Sequence, residues 1–254
     1  LVALMSLGLG VAAALAPYLA LQLRGMDPAW PFALSATCLA AVTLGMVAAE
    51  RALAGQAAPS APSATQGPGP RGRGASPGLF LGAAALGAVA FQWHGFVASA
   101  PLALRFAAPA DLPWLLPVFW VGFNLALWPA GWWARRAGPW RAMALGAVVA
   151  AGGNAAAAFA HALLPLLVAQ ALTGAGWALL LCSAFADALA LGQGCRAGLF
   201  SGTLNAVLAL AALVRIAVVS QLAPPAPMVL GLAWLAAAGF AGCALLSRWQ
   251  AGRG

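Results

Sequence analysis

Nine polar side chains stand in stretches that are otherwise apolar, and their types set the chemistry the chain can offer. They are Gln92, His94, Asn124, Asn154, Gln170, Thr173, Thr203, Asn205 and Arg215. Amides and hydroxyls donate and accept hydrogen bonds without a net charge. His94 adds an imidazole that can carry a proton near neutral pH. Arg215, in Ala211-Ala-Leu-Val-Arg215-Ile, adds a guanidinium able to hold a carboxylate with two parallel hydrogen bonds. In hydrocarbon such groups are costly, so they face a bundle interior or a water-filled cavity. The expectation is a cavity with hydrogen-bonding walls for a small solute, with Arg215 drawing an anionic group. Two plainer readings stay open. Each amide can clip a pair of helices, at about 0.6 kcal/mol on average, and Arg215 can snorkel to the nearer interface.

A tenth residue, Asp187, is the one acid well inside an apolar run. It shares a helix face with Ser183 one turn away, so it is a candidate gate pairing with Arg196 or Arg136, or else a solvated interfacial group. No second acid lies near enough in the chain to form a relay. Neither a Ser/His/Asp order, nor H-E-x-x-H, nor a Gly-rich nucleotide loop occurs, so an enzyme is not expected. The four cysteines (38, 182, 195 and 243) form no C-x-x-C pair. Neither a disulfide, a metal nor a cofactor is therefore expected.

The elements that must hold these residues are membrane helices. Of 254 residues 64% are hydrophobic and only 6% charged, too little polar material to clothe a soluble protein of this length. The net charge of +8 is carried by arginines scattered among apolar runs, with no basic face to follow a phosphate backbone. Nucleic acid is thus not an expected partner; the lipid bilayer is. Lysine is absent while Ala, Gly, Pro and Arg abound, the bias of a GC-rich genome, as in many bacteria. A span needs about 20 mostly apolar residues. Eight stretches qualify: 1–21, 31–49, 79–103, 112–133, 142–160, 163–191, 197–222 and 227–247. The predicted fold class is all-α, a polytopic bundle of eight transmembrane helices.

Between the second and third stretches, residues 52–78 are rich in Pro, Gly, Ser and Ala. That composition cannot bury enough apolar area to offset chain entropy, so it reads as a linker. Three parts follow: 1–51 with two spans, 52–78, and 79–254 with six. Arginines sort by alternate loops. Nine (51, 71, 73, 135, 136, 141, 196, 248 and 253) fall on one side and two (24 and 105) on the other. This bias predicts a multi-pass protein of the cell inner (plasma) membrane with linker and C-terminus cytoplasmic. Trp30, Trp114, Trp132, Trp133, Trp140 and Trp249 fall at span ends, where interfacial anchors belong. The run opening at Leu1 does not begin with Met and has no basic flank, so it is not read as a signal peptide, and more chain is expected upstream.

The stretch Gly131-Trp-Trp-Ala-Arg135-Arg136-Ala-Gly138-Pro139-Trp-Arg141 resembles the cytoplasmic G-x-x-x-D-R-x-G-R-[RK] signature of the major facilitator superfamily. Gly131, Arg136 and Gly138 match in register. Arg135 stands where the family has Asp, and Pro139 and Trp140 where it has basic residues. Leu7-Gly8-Leu9-Gly10 with Pro17, then Trp30-Pro31-Phe32, resembles the family's fifth and sixth helices, and Gly174-Ala-Gly176-Trp177 its tenth. The resemblance implies two helices of an N-terminal half, a linker, and a six-helix C-terminal half, with the first four helices missing. It implies a monomeric secondary transporter of a small organic solute working by alternating access, with protons as a candidate coupling ion. It also implies that Gly131, Arg135, Arg136 and Gly138 lie at the cytoplasmic gate, where the family's Asp joins a charge network that Arg135 cannot reproduce. The competing expectation is a complete eight-helix protein that transports nothing and serves assembly.

Overall fold

The computed structural model describes residues 2–54, 76–191, 197–222 and 226–252. Of the described residues 92% are helical, and among them there is no strand. The order is α1 (Val2–Met26), α2 (Trp30–Ala54), α3 (Pro77–Trp93), a π-turn (His94–Ala98), α4 (Ser99–Ala103), a 3-10 turn (Pro109–Asp111), α5 (Leu112–Leu115), α6 (Val118–Ala137), α7 (Pro139–Ala158), α8 (Leu163–Leu191), α9 (Ala197–Leu222) and α10 (Ala226–Ala251). Five stretches are long and apolar enough to cross a membrane: Trp30–Ala52, Pro77–Ala103, Pro109–Ala137, Leu163–Leu191 and Gly198–Gln221. The other three expected spans fall on α1, α7 and α10. Most of the expected linker, residues 55–75, lies outside the described residues, as does Arg196.

This is a membrane-embedded protein. Trp128 is 88% exposed, and Leu125 and Leu164 more than 70%. In water such a surface would aggregate; against lipid it is the natural exterior. Contacts divide the chain into two compact units, 1–15 with 74–254, and 16–73. In the second unit, α2 exposes apolar side chains around nearly its whole circumference, Phe32 and Leu39 among them.

In the larger unit α8 packs most extensively on α7 and α6, and α10 bridges α7 and α3. Lipid tails are as apolar as leucine, so helices associate through close van der Waals contact rather than a hydrophobic drive. Small residues make the contact possible. A Cβ at Gly174 of α8 would overlap the Phe119 carbonyl of α6, and one at Gly146 of α7 would sit 2.6 Å from the Leu180 nitrogen of α8. The core filled around these seams includes Phe80, Phe123, Met143, Leu180, Leu204 and Phe240. Gln250, at the end of α10, donates to the Ser76 carbonyl at 2.9 Å and accepts from the Ser76 N–H at 3.3 Å. The start of α3 is thereby clipped to α10.

Two local departures from the expected spans have clear causes. The stretch 131–141 is helical except at Gly138, so Arg135 and Arg136 occupy the last turn of α6 rather than a loop. Gly138 has φ 86°, a conformation glycine adopts freely, and Pro139 starts α7 where its missing N–H is no loss. The fourth span is broken near its start. Pro113 and Pro117 confine α5 to four residues and start α6 at Val118.

Candidate functional site: a buried imidazole between two amides

The π-turn is the feature that builds the site. One extra residue enters the helical path at His94–Ala98, so the Ser99 N–H reaches the His94 carbonyl five residues back. The Ser99 hydroxyl donates to the same carbonyl at 2.7 Å. His94 itself is fully buried and turned toward α7 and α8. Its Nε2 lies 2.8 Å from Gln170 Oε1 of α8, and its Nδ1 lies 3.1 Å from Asn154 Oδ1 of α7. Gln170 Nε2 in turn donates to Ser99 Oγ at 3.3 Å. Ser99, Asn154 and Gln170 are all buried.

The seam between α7 and α8 brings the amides within reach. Gly153, next to Asn154, comes so close to α8 that a Cβ there would stand 2.6 Å from Thr173 Oγ1. Thr173 is buried and its hydroxyl donates to the Ala169 carbonyl at 2.9 Å. On the α6 side the Phe119 ring lies 6.1 Å from the imidazole. Behind it Phe91 stacks on Trp177, 4.5 Å apart and 4° from parallel. The imidazole therefore has amides at both nitrogens and aromatic rings beside it.

Of the nine polar residues read from the sequence, four converge here: His94, Asn154, Gln170 and Thr173. Gln92 is half-buried two residues before His94, and its Oε1 has no hydrogen-bond partner. Asn124 is half-buried with Oδ1 unpartnered, facing Gly10 of α1. Thr203 and Asn205 turn their polar atoms onto their own helix. Thr203 Oγ1 donates to the Leu199 carbonyl at 2.8 Å and Asn205 Nδ2 to the Ser201 carbonyl at 2.9 Å. Arg215 lies half-buried with its guanidinium carbon 4.5 Å from the centre of the Phe96 ring, in the π-turn, and its Nε has no partner. It thus reaches the same segment as His94, against the face of an aromatic ring.

At the other end of α8, Asp187 is buried with Oδ2 unpartnered, and Ser183 one turn away is buried with its hydroxyl unpartnered. Arg136, one of its two candidate partners, instead places its guanidinium carbon 5.0 Å from the Trp132 ring centre. Gly131 and Gly138 flank this turn; Arg135 is exposed.

Ser99 was not among the residues singled out by sequence. A serine in an α-helix bonds back three or four residues; only the inserted π residue lets Ser99 reach His94. Among the described residues no group of three His, Cys, Asp or Glu side chains could hold a metal ion. An open groove of about 470 Å³ lies elsewhere, lined by Leu245, Arg248, Trp249 and Gly252 at the end of α10. Compared with protein-family models, curated proteins and solved structures, the chain has no match.

Proposed function

We propose that the chain is a secondary active transporter of a small organic solute, built on a major-facilitator-like plan. In this reading eight membrane helices, two before the linker and six after, sit in the inner membrane with linker and C-terminus cytoplasmic. The observation that carries it is the convergence of His94, Asn154 and Gln170 from three helices on one buried point. Polar groups at such depth are rare and mark substrate or ion pathways. Half-buried Gln92, Asn124 and Arg215 supply unsatisfied donors and acceptors in the same unit, and Arg215 is the candidate holder of an anionic solute group.

Rocking of one bundle against another around a midplane site would give alternating access. The test is uptake into proteoliposomes by the full reading frame that contains this chain, against a panel of small carboxylates and neutral solutes. Uptake that falls at least about tenfold in Gln170→Leu at equal reconstitution supports the reading, a change of about 1.4 kcal/mol in barrier or binding. Transport unchanged in both Gln170→Leu and Arg215→Gln would remove it.

One observation favours a second reading. His94, Asn154, Gln170 and Ser99 bond chiefly to one another, and the described groove lies away from them. A non-transporting assembly or accessory protein would use the same cluster to lock α3, α7 and α8 together. Under that reading no solute is taken up and the variants change stability alone.

A further inference from the structure

Counting donors and acceptors around His94 places every proton but one. The Ser99 hydroxyl is committed to the His94 carbonyl at 2.7 Å, because a carbonyl can only accept. With its one hydrogen on the 2.7 Å bond rather than on the longer 3.5 Å contact to Gln170 Oε1, Ser99 Oγ accepts from Gln170 Nε2 at 3.3 Å, and this sets the Gln170 amide with Oε1 toward the imidazole. Oε1 stands 2.8 Å from Nε2 and can only accept, so Nε2 carries hydrogen in every state.

Nδ1 remains. In a neutral imidazole protonated at Nε2, Nδ1 is a bare lone pair. The atom 3.1 Å away is Asn154 Oδ1, another acceptor, while Asn154 Nδ2 is buried with no partner. Two acceptors do not bond. The conflict is removed in one of two ways. A proton on Nδ1 makes an imidazolium that donates to Oδ1. Alternatively, a half-turn of the Asn154 amide brings Nδ2 round to donate to Nδ1.

We infer that His94 Nδ1 is a proton-binding site and that the Asn154 amide turns over with its occupancy. Oδ1 faces the ring when the proton is bound, and Nδ2 faces it when the proton has left. The exchange balances: one proton from solvent adds to Nδ1, no other covalent bond is made or broken, the Nδ2–H···Nδ1 hydrogen bond gives way to Nδ1–H···Oδ1, and the Gln170–Ser99 arm does not change. The site does not depend on what, if anything, the bundle carries.

The charges around it are few. From α6 the neighbour is the Phe119 ring, from α7 Asn154, and from α8 Gln170 and Thr173, all uncharged. From α9 Arg215 lies over Phe96, two residues beyond His94. From α10 Cys243 faces α3 at Gly87, nearly two turns before His94. Asp187 is some 17 residues along α8 from Gln170, about 25 Å at 1.5 Å per residue. Asp111 accepts the Ala108 N–H at 3.1 Å in its own turn. No described carboxylate faces the ring, so two amide oxygens alone hold the bound proton's charge.

The chain has two histidines, so a histidine-labelled sample in lipid nanodiscs gives two ring spectra, and His161→Gln removes the exposed one. Nitrogen-15 shifts of the full chain between about pH 4 and about pH 9 read the ring state directly. The expected result is the Nε2–H neutral form at high pH and a doubly protonated ring at low pH. Asn154→Asp, whose carboxylate only accepts, should shift the transition to higher pH. A neutral ring protonated at Nδ1, a ring that never titrates in this range, or a folded Asn154→Asp variant with an unmoved transition would each overturn the inference. These outcomes are read without any transport assay, so they are separable from failure of the transporter reading.

Discussion

Side-chain amides serve in opposite ways on α8 and α9, although the threonines Thr173 and Thr203 both bond back to their own helix. On α8, Gln170 and Thr173 are buried, and Gln170 bonds across to His94. On α9, Asn205 is exposed and Thr203 partly so, and both bond back onto their own turn. The glycines divide in the same way. A Cβ at Gly174 of α8 would overlap backbone of α6, while one at Gly202 of α9 would meet nothing within 4 Å. What separates the two helices is position in the bundle: α8 is walled by α6, α7 and α9, whereas α9 turns much of its surface outward. An amide inside a membrane protein becomes a site only where a neighbouring helix brings a partner.

The contrast is broken most severely at the glycines. Gly174→Ala drives a methyl into the Phe119 carbonyl, so overpacking should cost about 1–3 kcal/mol or prevent folding. Gly202→Ala has open space and a better helix former, and should stabilise by up to about 1 kcal/mol. Reversible unfolding in mixed micelles compares the two. Equal effects would mean that α8 is not the packed centre.

Removing the amides comes next. Gln170→Leu strands the His94 N–H and a hydrogen-bond partner of Ser99, and should cost about 1–3 kcal/mol. Asn205→Leu loses only a local bond on an exposed turn and should stay within about 0.5 kcal/mol. The same unfolding measurement sharpens the comparison at single-residue level.

Much of this was legible beforehand. Apolar runs around His94 and Gln170 already placed them in spans, because an 18-residue run without charge has few other uses; Asn154 lies on α7, which is helical as expected but not among the five stretches long and apolar enough to cross a membrane. The all-helical class follows from the same runs. Their convergence was not legible, because it depends on two events that periodicity cannot report. The π-turn at His94–Ala98 shifts the register of everything after it by one residue. The seam at Gly153 sets how near Asn154 comes to α8, and glycine is too common in this chain for its spacing to single out that position. Asn205 and Thr203 looked equivalent to Gln170 and Thr173 because composition alone cannot tell which face of α9 has a neighbour. In sequence the short turn between α6 and α7 resembles a loop, since Trp132–Arg136 is polar enough to end a span, yet only Gly138 leaves the helix.

Arg215 sits between the two regions, on α9 but touching the π-turn through Phe96. If it serves an anionic solute, Arg215→Lys should impair transport and Arg215→Gln nearly abolish it, with membrane insertion unchanged. Normal uptake by Arg215→Gln would leave a guanidinium that merely rests on a ring. The smallest effect is expected in the expected linker. Loop-closure entropy changes by only about 0.6 kcal/mol per doubling of length, so deletion of residues 66–74 should leave insertion intact. Loss of insertion, followed by membrane fractionation, would show that the segment docks on the bundle.

The central claim is that His94 and Gln170 act on one another across the bundle while α9's polar row does not. A double-mutant cycle measures it: His94→Ala, Gln170→Ala and the pair, unfolded reversibly in bicelles. The structure predicts a coupling of about 0.6–1.7 kcal/mol, the range for hydrogen bonds between membrane helices. Additivity within about 0.3 kcal/mol would mean that the two residues do not share a bond, and the site would dissolve into separate buried groups.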